Sequence, residues 1–450
     1  MNIINKVIDS FNKHVNFGES EKIITKGITV SLTGILLANL SSFAFLFCKT
    51  RLMPARDVGL LVLATSITLT AFIIANGFSG AVFRYASLYR GEEKPEKIKG
   101  VVFITYKFAV PLFLLILVLI SGFAGYIAVD IFGKEQLIPL IRIISLATFF
   151  GAISNINSSL LRSKYLVQYR YTFDVLRHVL SVVIILAVLL VRRYELLIIF
   201  AAAWTLANFF SMIYSFFIVR REFPFVFQRE VKAKEERKRF FRYAFVVQLS
   251  EMLLRFRKEI NVFIIAFFLP ASDIALYNVA LRIGFATGML AQGLNEIFPA
   301  FAAVLYGKGE IGEIRRMHKK SAVTLSLMSI TVFLLFVLFG KYILGLFGSF
   351  YKNAWVPLLI IAFSFVIESV VASAGQILNV LGKPHFNIVN ILIAISIIIL
   401  LSCLLIPKLG VVGAAIAFSA SFIVQRFMAL GQVVWVYSIK EKNKVKFFGI

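Results

Sequence analysis

The sequence predicts an all-α, polytopic membrane protein: twelve transmembrane helices in two repeated six-helix lobes around a central cavity. Three observations predict it. The chain is 60% hydrophobic and 16% charged over 450 residues, with a mean hydropathy of +0.88, outside the range of soluble domains. Apolar runs of roughly 20 residues, enough to cross a hydrocarbon core about 30 Å thick as helix, recur from end to end. The second half of the chain echoes the first at a nearly constant offset.

Residues 1–26 form an N-terminal cytoplasmic or interfacial segment. It carries Asp9, Glu19 and Glu21 and has no apolar core ahead of a small-residue cleavage site, so it does not read as a cleavable signal. Ile3, Ile4, Val7, Ile8 and Phe11 fall at helical spacing, which leaves the segment open between an interfacial helix and a tail. The first lobe (27–219) holds spans at 27–47, 58–81, 101–121, 137–160, 174–191 and 196–219. A basic cytoplasmic linker (220–244) follows. The second lobe (245–436) holds spans at 245–268, 274–303, 321–340, 354–378, 386–406 and 410–436, ahead of a cytoplasmic tail at 437–450.

Lys and Arg orient these spans. The N-terminus, the loops after even-numbered spans and the C-terminus hold 31 of them, and the opposite loops hold 9. Positive residues are retained on the cytoplasmic side, so both termini are expected there, in the cell membrane. The net charge of +25 is mostly this topology signal, together with attraction to anionic lipid heads. A nucleic-acid surface on 220–243 is the competing reading and fails because the segment bridges two spans.

The halves align in short stretches. "ARDVGLLVLA" (55–64) matches "ASDIALYNVA" (271–280), "IANGF" (74–78) matches "LAQGL" (290–294), and "LYRGEEK" (88–94) resembles "LYGKGEI" (305–311). "IFGKEQLIP" (131–139) echoes "LFGSFYKNAWVP" (346–357). Six spans per half means that both halves enter from the same side, so an axis along the membrane normal relates them and a substrate path lies between them.

Enzymatic chemistry finds no home. The two cysteines, Cys48 and Cys403, imply no disulfide framework, and His14, His178, His318 and His385 are scattered without metal-ligand spacing. There is no phosphate loop and no nucleophile elbow. Neither cofactor nor metal is expected.

The seventh span is the anomaly. "LSEMLLRFRKEINVFIIAFF" (249–268) carries Glu251, Arg255, Arg257, Lys258 and Glu259. Each central charge costs about 2.5–3.5 kcal/mol to insert, against about 0.5 returned by each Leu or Ile, so this helix cannot face lipid all round. Arg257 and Lys258 are readable as snorkelling residues. Glu251, Arg255 and Glu259 stand four apart on one face, and that row is expected to line a water-filled inter-lobe path and to neutralise itself in part. A sealed structural ion network is the alternative.

Other spans add Arg282, Gln292 and Glu296 in the eighth, and Arg142, Arg177, Glu368 and Arg426 elsewhere. Arg177 has Asp174 one turn back and is open between a cavity residue and an end-of-helix pair. Arg84 reads as a boundary anchor and Lys107 as a snorkeller. The expected cationic substrate cavity is therefore Arg255, Arg282, Arg142, Arg426 and Lys258. Glu251, Glu259, Glu296 and Glu368 are its acids, available for coupling to a proton or sodium ion. Basic residues outnumber acids within the spans, which suits an anionic passenger, and Arg presents paired donors to a phosphate.

With the repeat and the basic interior in hand, the chain resembles the polysaccharide-transport branch of the multidrug/oligosaccharidyl-lipid/polysaccharide exporter superfamily, the O-antigen-type lipid-linked oligosaccharide flippases. "MPARDVGLLVLATSI" (53–67), "GEIGEIRRMHKKS" (309–321), "NAWVPLLIIAFS" (353–364), "GQILNVLGKPHFNIVN" (375–390) and "IPKLGVVGAAIAFSASFI" (406–423) carry the resemblance. It implies alternating access: an isoprenoid-pyrophosphate-linked oligosaccharide enters a cationic cavity from the cytoplasmic leaflet and crosses between the lobes, with no bond made or broken. The expected partners are that substrate, membrane lipids and other polysaccharide-assembly proteins, with a monomeric chain and no nucleic acid. A cation-coupled multidrug exporter is disfavoured because the first lobe has no acid within its spans except Asp174 at an edge. A lipid II flippase would carry two more spans. A membrane glycosyltransferase or polymerase would need a larger external loop.

Overall fold

The computed structural model describes residues 19–73, 77–191, 195–228, 237–289, 298, 311–371, 374–380 and 383–447. Among these the protein is all helical. Its α-helices in chain order are α1 (Glu19–Leu52), α2 (Ala55–Ile73), α3 (Gly77–Gly91), α4 (Pro95–Gly122), α5 (Ala124–Tyr126), α6 (Leu137–Ser163), α7 (Gln168–Val191) and α8 (Leu196–Glu222). The second half adds α9 (Arg237–Phe268), α10 (Ala271–Gly284), α11 (Ile311–Leu346), α12 (Trp355–Val371), α13 (Ala374–Val380), α14 (Pro384–Leu409) and α15 (Val411–Phe447). Such a chain has little choice of architecture: in lipid no water satisfies backbone N–H and C=O groups, and only helices satisfy their own.

Among the described residues, ten stretches are long and apolar enough to cross a membrane, from Thr33–Leu52 to Val411–Val436. The seventh expected span does not qualify by composition, because of its ions. Yet α9 runs 32 residues without interruption and begins at Arg237, well before the span predicted at 245. The eighth starts as α10, tightens into a 3-10 turn at Phe285–Gly288, and for the most part continues outside the described residues. Two expected spans are each carried by two helices: 58–81 by α2 and α3, and 354–378 by α12 and α13.

The repeat survives in local geometry. Pro54 and Pro270, 216 residues apart, both precede a helix, and each accepts from the N–H three residues on, Asp57 and Asp273, at 3.0 Å. Gly133 and Gly348, at the matched "IFG" and "LFG" turns, both adopt positive φ (61° and 132°), which an L side chain rarely tolerates.

The core explains how the lobes meet. One apolar cluster spans both lobes at the end where α1 turns into α2 and α9 into α10. It runs from Phe45, Leu60 and Leu140 to Ile265, Tyr277, Ile361 and Phe418. At the opposite end the cores separate: Tyr85, Ile104, Ile156 and Val219 in one, Phe298, Leu378 and Val433 in the other. The lobe contact at the shared end is close-packed. A methyl added to Gly59 of α2 would collide with the Ala271 carbonyl of α10. Farther along, α9 leans on the first lobe. Phe240 and Ala244 belong to its separate core. The Gln248 amide bonds both the Gly77 N–H and the Ile73 carbonyl, capping the two helix ends of α2 and α3 from across the interface.

Candidate functional site

The site is built from three helices that meet between the lobes. On α1, Ser41, Phe45 and Lys49 are four residues apart and share a face. On α7, Asp174, Arg177, His178 and Ser181 follow the same helical period. On α10, Arg282 lies 11 residues past Ala271, about 16 Å along the axis at 1.5 Å per residue.

Arg282 is exposed, and its Nη1 donates to Ser42 Oγ of the other lobe at 3.1 Å. It lies within electrostatic reach of Lys49 and His178, and Arg177 acts on the same histidine. His178 Nδ1 is 3.3 Å from Ser41 Oγ. Its ring packs against Phe45 and Trp204, with centroids at 6.0 and 5.6 Å, and Phe45 also carries the Lys49 ammonium 5.2 Å from its centroid. Arg177 is held by Asp174, by the Phe173 carbonyl at 3.1 Å and by Asn208 Oδ1 at 3.5 Å. Arg282 thus meets Ser42, His178 meets Ser41 and packs on Phe45 and Trp204, Lys49 stands over Phe45, and Arg177 adjoins His178 on α7. The carboxylate that acts on Arg282 is Glu259.

Helix α9 distributes its ions to different surroundings, because residues two apart on a helix point in nearly opposite directions. Glu259 faces the other lobe, where its Oε2 accepts from Ser66 of α2 at 2.6 Å. Arg255 is half-buried one turn away and makes no ion pair with it. The expected self-neutralised row is therefore corrected at that link: no Arg255 nitrogen lies within ion-pair distance of Glu259, whose Oε2 bonds Ser66 of the other lobe. The Glu251 side chain lies outside the described residues, as do Gln292 and Glu296. Arg257 is not a snorkeller. It is 6% exposed, buried inside the second lobe, with its guanidinium 5.3 Å from the Phe422 ring. Lys258 is exposed.

The structure does not bring the remaining candidates to Arg282. Arg426 pairs with Glu368, and its guanidinium lies 4.8 Å from the same Phe422 ring, so these two join Arg257 in a second charged cluster. Arg142 is exposed and donates to the Ser121 carbonyl at 3.3 Å. Lys107 is exposed over Phe103 at 5.7 Å, and Arg84 is exposed. Conversely, sequence reading missed Lys49, which counted as an outer-loop cation, and His178, which counted as scattered. The four-residue spacing of Ser41, Phe45 and Lys49 was the available signal.

A sequence model described as "Polysaccharide biosynthesis protein" matches residues 24–305, more than half of the chain. The protein belongs to this family. Among curated relatives it is 29% identical over 187 residues to a "Probable low-salt glycan biosynthesis flippase Agl15" of Haloferax volcanii. That match takes in 41% of this chain and only 39% of the relative's length. It is 21% identical over 435 residues, 93% of this chain and 84% of the other, to the "Uncharacterized membrane protein MJ1068" of Methanocaldococcus jannaschii. Its fold superposes with a TM-score of 0.73 and 15% identity on a solved structure described as the inward-facing conformation of a multidrug resistance MATE family transporter of the MOP superfamily, covering 92% of this chain and 99% of that one. The two-lobed membrane fold of that superfamily is therefore the fold of this polysaccharide biosynthesis family member.

Proposed function

We propose that this chain is a flippase. It moves an isoprenoid-pyrophosphate-linked oligosaccharide from the cytoplasmic to the outer leaflet by alternating access, for surface polysaccharide or glycan assembly. The observation that carries the reading is the inter-lobe cluster of Lys49, Arg177, His178 and Arg282. A pyrophosphate offers several acceptor oxygens to such donors, and charge-assisted hydrogen bonds are the strong ones. The head group would exchange for the Arg282–Ser42 bond, which ties one lobe to the other, so binding and lobe movement share an atom. Lobes of 27–219 and 245–436 rock about the shared apolar end, with the 220–244 linker and both termini in the cytoplasm. The separated cores then open the path inward. The sign of the cluster disfavours the export of cationic drugs.

The test is flipping of a fluorescent lipid-linked oligosaccharide in proteoliposomes. At limiting substrate, transport should fall roughly 10- to 100-fold in Arg282→Ala and not be restored by Arg282→Lys, whose ammonium lacks the guanidinium's paired, planar donors. Full transport by a Lys49→Ala, Arg282→Ala double variant would overturn the reading.

A further inference from the structure

The second charged cluster lies inside the second lobe and has no part in the reading above. Arg257 of α9, Glu368 of α12 and Arg426 of α15 meet around Phe422, with both guanidiniums over that one ring at 5.3 and 4.8 Å. Glu368 is 2% exposed and binds Arg426. Gly288 of the 3-10 turn closes the other side, since a Cβ there would lie 3.3 Å from Glu368 Oε2.

The cluster is unbalanced in two ways. Two guanidiniums face one carboxylate, a formal charge of +1 among the described residues. Its hydrogen bonds are also incomplete: Nε and Nη1 of Arg257 and Nε of Arg426 are buried without a partner, against a single orphaned carboxylate oxygen, Glu368 Oε2. The hydroxyl of Thr287, next to Gly288, is orphaned as well. An Arg never sheds its proton to escape such a site, and leaving an ion buried and unpaired is costly. The contrast lies one turn away on the same helix face. Asn261 is equally buried but fully used, donating to Tyr277 Oη at 2.9 Å and to the Ala414 carbonyl at 3.0 Å, and accepting from Ser402 at 2.7 Å. Asn261 has its donors and its acceptor met, whereas Arg257 four residues away keeps two N–H groups unmet.

We propose that the Arg257–Glu368–Arg426 cluster is a binding site for one small monovalent inorganic anion, of halide size, held inside the second lobe. One negative charge brings the cluster to neutrality, and a spherical acceptor serves the orphaned N–H groups together. A divalent phosphate would overshoot the charge, and a glycan-linked head group is too large for a site where Arg257 is 6% exposed. The anion joins α9, α12 and α15 and sets the charge of the lobe that moves against Arg177 and Lys49.

The test follows thermal unfolding of the purified full chain in detergent, in sodium chloride or bromide against sodium gluconate at constant ionic strength. The expected result is a saturable rise of a few degrees in halide, absent in Arg257→Gln and retained in Arg282→Gln. Should Arg257→Gln fail to fold, bromide anomalous scattering from wild-type crystals carries the test alone, with one peak expected within hydrogen-bond distance of the Arg257 guanidinium. The proposal is overturned if chloride and gluconate act alike on the wild type, if the halide effect persists in Arg257→Gln or vanishes in Arg282→Gln, or if the bromide peak lies elsewhere. It is also overturned if inorganic diphosphate displaces the halide, which would mark this cluster as a diphosphate site instead. Loss of this proposal leaves the inter-lobe reading standing, because the two rest on different arginines.

Discussion

Two groups of arginines in the helices of this protein have opposite surroundings. Arg282 is exposed between the lobes and bonds a serine of the opposite lobe. Arg257 is buried within one lobe, and Arg426 beside it bonds the carboxylate of Glu368. The difference teaches that a charge in a membrane helix signals function only once its surroundings are known. An accessible cation keeps water as an alternative partner and can trade it for a ligand. A sealed cation depends on fixed partners, and its loss is felt as stability.

That contrast breaks or holds under substitution. The largest effect is expected for Glu368→Gln, which strips the buried carboxylate from half-buried Arg426 and from beside buried Arg257, and should cost about 3–5 kcal/mol. Thermal unfolding in detergent reads it, and Arg282→Gln should leave the midpoint near that of the wild type. Equal losses would erase the distinction between the clusters. Next comes Arg282→Ala, which removes charge-assisted bonds worth about 1.5–3 kcal/mol and should weaken apparent substrate affinity in proteoliposomes by roughly 10- to 100-fold. Gly59→Ala sets a methyl against the Ala271 backbone carbonyl, a neighbour that cannot yield easily. Overpacking of that kind costs about 1–3 kcal/mol and should lower both the unfolding midpoint and the transport rate. Nothing lies within 4 Å of a Cβ added at Gly431, so Gly431→Ala should be neutral or stabilising by the same measurements. The smallest effect belongs to Arg142→Ala, within about 0.5 kcal/mol of the wild type and with transport unchanged, because its bond to the Ser121 carbonyl is exposed. A transport defect there would return Arg142 to the cavity.

Much of the fold was legible because lipid imposes it. Apolar length fixes the spans, and the stretches matched at 55–64 and 271–280 both turn out to open helices behind a proline, Pro54 and Pro270. The site was legible only in part. Arg282 could be found from its depth in a span. Lys49 could not be found by counting loop charges, since α1 continues past the predicted end of the first span to Leu52 and carries the lysine inside. The partnership of Glu368 with Arg426 is invisible to any local pattern, as the two are 58 residues apart on separate helices. Arg257 was misread because periodicity gives the angle between side chains on α9 but not which neighbour fills each side. That is set by how α9 packs on α2, α3 and α14.

The most direct measurement compares cysteines placed at the two clusters in a chain whose Cys48 and Cys403 have been changed to Ser. Ser42→Cys stands beside Arg282, and Thr287→Cys, at a position 2% exposed, stands beside Gly288 in the second lobe. Both are treated with a charged, water-soluble methanethiosulfonate reagent, with and without lipid-linked oligosaccharide. The account predicts that Ser42→Cys reacts and is protected by substrate, while Thr287→Cys stays inert under both conditions. An inert or unprotected Ser42→Cys, in protein that still transports, would contradict an open inter-lobe anion site at Arg282.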